Sequence, residues 1–102
     1  MRIWDAPGNA LLHVGATACT GNPQSGNVKC GKANRNRIEL EGFDPDKNSI
    51  AIDIAPVFAE TDLTQTAECH STGEFCAPMF EALGLDFQSA KPRAQQAVYS
   101  VE

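Results

Sequence analysis

Two stretches of the chain alternate apolar and polar residues with a period of two. In Arg37-Ile38-Glu39-Leu40-Glu41, Ile38 and Leu40 share one face and the charges take the other. Residues Ser49 to Ile54 repeat the pattern, with Ile50, Ile52 and Ile54 on one side. Between them lies Gly42-Phe43-Asp44-Pro45-Asp46-Lys47-Asn48, which is dense in turn formers. Two alternating runs around such a turn predict a β-hairpin. Upstream, Ala10 to Gly15 reads as a strand leaving the Pro7-Gly8-Asn9 turn. Residues 16–34 are rich in Gly, Asn, Thr and Ser and hold little apolar content, so they read as a long loop in need of pinning. Beyond Ile54, Ala55 to Glu60 reads as one helical turn with Pro56 near its start. Cys76 to Leu85 reads as a short helix, with Pro78 in its first turn, Gly84 as its stop, and Met79, Phe80 and Leu83 on one apolar stripe. Ala97 to Val101 closes the chain as a strand.

The elements sum to a mainly β fold: an antiparallel, β-sandwich-like domain with one or two short helices. The 102 residues form one domain, without internal repeat or low-complexity tract. A net charge of −5 argues against nucleic acid, whose binders present positive faces to phosphate. No apolar run approaches the ~20 residues needed to span a bilayer. No nucleophile–base pair or phosphate loop stands out, so the chain reads as a binding protein and not an enzyme.

Cysteine usage changes the picture most. Four cysteines in so short a chain read as a disulfide framework, and hence as a protein of an oxidising compartment, periplasmic or extracellular. The economical pairing is local, Cys19 with Cys30 and Cys69 with Cys76, although four cysteines allow three connectivities. Closing loops of this size is worth roughly 2.5–3 kcal/mol each. A structural zinc site would place paired ligands two to four residues apart, and neither spacing does so. The start of the chain has no apolar leader, which reads as a chain that begins partway through a longer protein.

Four stretches taken in order carry a family resemblance. They are His13-Val14-Gly15-Ala16-Thr17-Ala18-Cys19; Asn34-Arg35-Asn36-Arg37-Ile38-Glu39-Leu40-Glu41-Gly42-Phe43-Asp44-Pro45-Asp46; Cys69 to Cys76 followed by Ala77-Pro78-Met79-Phe80-Glu81-Ala82-Leu83-Gly84-Leu85; and Ala97-Val98-Tyr99-Ser100-Val101. Together they resemble the C-terminal half of the four-Cys "metallo-mystery pair" proteins, the MbnP-like family. The resemblance implies an exported β-sandwich-like protein encoded beside a di-haem, peroxidase-like cytochrome c. It implies copper, with histidine and a kynurenine made from tryptophan as ligands. Family chains run about twice this length, so the N-terminal half would come from another chain or from a second copy.

On that resemblance His13 and His70 are candidate copper ligands, and Trp4, the only tryptophan, is the candidate kynurenine. Read without it, His13 is a strand-end histidine, His70 an exposed loop histidine, and Trp4 a core or interface aromatic. Met79 reads as core packing. Asp44, Asp46 and Asn48 alternate like the start of a calcium loop, but Ser49 and Ala55 stand where an EF-hand needs Gly and Glu. Calcium at this turn stands behind copper as the alternative. Lys29, Lys32, Arg35 and Arg37 read as a solvated face, with a docking patch for an acidic partner as the functional alternative. Two functions follow: an exported copper-associated protein acting with a haem redox partner, or an assembly module whose sheet is completed by a neighbouring subunit.

Overall fold

The computed structural model describes residues 1–3 and 8–102, with side chains at Met1 and from Gly8 onwards. Seven short strands, one α-helix and three 3-10 turns follow in the order β1 (Arg2–Ile3), β2 (Ala10–His13), β3 (Thr17–Asn22), β4 (Asn27–Lys32), β5 (Ile50–Ile52), β6 (Ala67–His70), α1 (Ala77–Ala82) and β7 (Tyr99–Val101). The 3-10 turns are Pro23–Ser25, Ala55–Phe58 and Glu74–Cys76. Three small sheets result: β1-β2-β6, β3-β4 and β5-β7. Among the described residues only β2 and β6 run parallel. The mainly β fold with one short helix and two local disulfides, Cys19–Cys30 and Cys69–Cys76, is as the sequence implied.

The core lies between the β1-β2-β6 sheet and α1. Ala10 and Leu12 of β2 and Cys69 of β6 meet Val57 and Phe58 of the second 3-10 turn, and Cys76, Met79 and Phe80 at α1. Leu85 and Val98 close it. Met79 is buried, as expected of a core residue. The helix stops where the sequence placed the stop. Gly84 takes φ +84° and its N–H bonds the Glu81 carbonyl at 3.0 Å.

Two expectations fail. Residues 16–34 are not a loop but contain the β3–β4 hairpin, with Cys19 opposite Cys30 and Asn22 opposite Asn27. Nearly every residue of this hairpin is exposed, so neither face needs apolar side chains and no alternation marks it. The second failure is the hairpin expected from residues 37–41 and 49–54. The segment from Arg37 to Glu41 is not a strand. Asn36 Nδ2 donates to the Leu83 carbonyl at 3.1 Å, which ties this segment to the end of α1. The Ile50–Ile52 strand pairs instead with β7, Ile50 opposite Val101 and Ile52 opposite Tyr99. Alternation marks a stretch as extended; it names neither its partner nor, here, a buried face, since the isoleucines of β5 are exposed.

Candidate metal site

The two candidate ligands come together. His13 ends β2 and His70 ends β6, and the parallel register sets them directly opposite each other. Side chains alternate along a strand, so Leu12 and Cys69 point into the core while His13 and His70 point away from it. Their rings stand edge to face, with centroids 5.6 Å apart and planes at 76°. Both are exposed to solvent. Glu68, two residues before His70 and therefore on the same face, places Oε2 3.4 Å from His70 Nε2. With both side chains substantially exposed, that contact carries little energy.

The pair fits a metal by spacing and by chemistry. A metal–imidazole bond of about 2.0 Å puts the ring centroid roughly 3 Å from the ion, so two rings on one ion stand about 4.5–6.5 Å apart. The observed spacing lies inside that span. Imidazole suits copper, zinc and nickel, and not the hard cations that take oxygen ligands. Among the described residues no group of three or more His, Cys, Asp or Glu side chains is placed to hold a metal ion. The arrangement is therefore two solvent-exposed imidazoles side by side at one end of the sheet.

The other candidates sit elsewhere. Trp4 lies outside the described residues. In the Asp44–Asn48 turn, Asp44 Oδ1 accepts from the Asp46 N–H at 2.9 Å and Asn48 Oδ1 accepts from the Asp44 N–H at 2.9 Å, the contacts of an ordinary turn. Of the basic cluster, Arg37 pairs with Glu39 at 2.8 Å between two exposed side chains, and Lys32 Nζ stands 5.9 Å from the centre of the Phe87 ring. Cys69 and Cys76 are buried in their disulfide, one residue from His70, and present no thiol.

Two residues that sequence reasoning missed bond the backbone beside the pair. Ser71 follows His70 with φ +67°, and Asn34 has φ +50°. Both are buried polar side chains. The Ser71 hydroxyl donates to the His13 carbonyl and accepts the Gly15 N–H, each at 2.8 Å. Asn34 Nδ2 donates to the Gly15 carbonyl at 2.8 Å. Asparagine tolerates left-handed backbone better than most residues, which is the one local signal Asn34 offers.

No family model matches the sequence, and no curated protein matches it. Among solved structures it is similar to MbnP from Methylosinus trichosporium, with a TM-score of 0.77 and 29% sequence identity. The match covers 88% of this chain and 37% of that one, so the chain spans little more than a third of the protein it matches. No helix among the described residues is long and apolar enough to cross a membrane. The two disulfides are consistent with an oxidising, extracytoplasmic setting. The likeness read from the cysteine framework and its flanking stretches thus extends to three dimensions over 88% of this chain.

Proposed function

We propose that this chain is an exported, copper-associated binding protein in which His13 and His70 supply two imidazole ligands to one ion. The observation that carries the reading is their register across β2 and β6, with ring centroids 5.6 Å apart. The similarity to MbnP supports it. Copper binds nitrogen donors more tightly than the other divalent first-row metals, and here it would add a one-electron redox couple. A c-type haem protein is the redox partner in this reading, on the strength of the family resemblance. The chain itself holds the ion and turns over no substrate.

Titration of the purified chain with Cu(II) tests the reading. His13→Ala and His70→Ala should each weaken binding by more than about tenfold, equivalent to 1.4 kcal/mol, and the double variant should show no specific site. Parent-like affinity in the double variant contradicts it.

A second reading rests on a different part of the surface. Ser49 and Glu102 exchange both backbone bonds, at 2.7 and 2.8 Å, and Asp53 N–H bonds the Val98 carbonyl at 2.9 Å. By the alternation of an antiparallel ladder, the backbone groups of Ile50 and Ile52 then face outward from β5. The outer edge of β7 is capped, since Gln96 accepts the Tyr99 N–H and donates to the Tyr99 carbonyl, both at 2.7 Å. No such cap protects β5 among the described residues. Its Ile50, Ile52 and neighbouring Ile54 are 52%, 64% and 44% exposed. An uncapped apolar edge favours an assembly module, with a strand added from a neighbouring subunit. Sedimentation combined with hydrogen exchange separates the cases. A monomer with freely exchanging Ile50 and Ile52 amides counts against strand sharing; a dimer that protects both amides supports it.

A further inference from the structure

We infer that Ser71 and Asn34 are positioning residues for the imidazole pair, fixing the register and the approach of the two rings. The inference rests on the copper reading of His13 and His70. The last register pair of the β2–β6 ladder is His13 with His70, so the ladder itself supplies no further bond beyond the rings. A strand end fraying there would let the rings separate. A slip by one residue would turn one imidazole to the opposite face.

Ser71 closes that end. Its single hydroxyl reaches from β6 across to the last residue of β2, donating to the His13 carbonyl, and it also accepts the Gly15 N–H. It is 7% exposed, and both bonds are partly buried. Asn34, 6% exposed, then bonds the Gly15 carbonyl from the segment after β4. Gly15 is held on both of its backbone groups, and the β3–β4 hairpin is anchored to the imidazole end of the sheet. Ser71 adopts left-handed backbone that residues other than glycine and asparagine rarely take, and Asn34 takes the same region at less cost. Such strain persists where surrounding bonds over-determine it, and it gathers at sites that must be held in shape. These bonds reach the backbone beside the rings and not the imidazole nitrogens, so they act by fixing where the rings stand.

Glycine accepts positive φ freely, so Ser71→Gly and Asn34→Gly remove the side-chain bonds while keeping the backbone shape. Two readouts are needed. One is the Cu(II) dissociation constant. The other is the proton–proton NMR contact between the His13 and His70 rings in the metal-free protein. Ser71→Gly is expected to weaken Cu(II) about tenfold or more and to lose the ring–ring contact, and Ser71→Asn, which keeps a polar side chain and tolerates left-handed backbone, to restore part of both. Asn34→Gly should act in the same direction; it carries the test alone if Ser71→Gly does not fold. Parent-like affinity and ring contact in both glycine variants, while His13→Ala and His70→Ala abolish binding, overturn the positioning role and leave the copper reading intact. Loss of the ring contact in the glycine variants, while the histidine variants bind copper as the parent does, supports positioning and removes copper as its purpose.

Discussion

Replacing Cys69 and Cys76 together by alanine is expected to lower the free energy of unfolding by about 3–5 kcal/mol. The bridge ties the strand that carries His70 to the start of α1, with the two Cα atoms 5.5 Å apart. Both cysteines are 0% exposed and belong to the core. Two effects therefore add. The unfolded chain regains the entropy of an open loop, worth roughly 2.5 kcal/mol for a loop this short. The core also loses two buried sulfur atoms and the contacts they made. Against a total stability of about 5–15 kcal/mol for a domain, the change is severe. The Cys19–Cys30 bridge should matter much less to the whole. Cys19 is exposed, Cys30 is half-buried, and their strands are already joined by their own ladder. Its removal should fray the hairpin and leave most of the core in place. Urea unfolding of the two double variants at unchanged slope measures the contrast. Equal losses in the two variants would show that the hairpin is part of the cooperative core.

The second large effect is Phe80→Ala, expected to destabilise by about 3–5 kcal/mol. Phe80 is wholly buried on α1. Its ring meets Phe87 edge to face, with centroids 5.3 Å apart and planes at 84°. Truncation removes the buried ring and that aromatic pair, and it leaves a cavity in a small core. Neighbouring Met79 is equally buried, but Met79→Leu conserves volume and should cost less than about 1.5 kcal/mol. Urea midpoints for the two variants check the difference. A Phe80→Ala loss no larger than that of Met79→Leu would mean that the core between α1 and the sheet is looser than its burial indicates.

These two sites also show what the sequence made legible. The helix around Phe80 carried its own punctuation, a proline in the first turn and a glycine stop, and both lie where expected. The local disulfides followed from spacing and economy. The β3–β4 hairpin did not follow from apolar periodicity, because its faces bury almost nothing. A signal was present all the same. Cys19 and Cys30 are placed symmetrically about the Asn22-Pro23-Gln24-Ser25-Gly26-Asn27 turn, the spacing of a cross-strand pair. The alternating isoleucines mark the Ile50–Ile52 strand but not its partner. Their true partner is the last strand of the chain, and no local pattern encodes so distant a pairing.

The site was legible in part. His13 and His70 stand out one by one in the sequence, and their meeting depends on the parallel register of β2 and β6, which periodicity does not reveal. Ser71 and Asn34 carried no metal-ligand pattern at all. Their role appears only once the left-handed backbone and the bonds at Gly15 are seen.

The most direct test of the two-imidazole copper site is pulsed electron paramagnetic resonance on the chain loaded with one equivalent of Cu(II). Nitrogen modulation from two imidazoles on one copper is expected in the parent, from one in His13→Ala and in His70→Ala, and from none in the double variant. A parent signal from a single imidazole, or a two-imidazole signal that survives in either single variant, would contradict it.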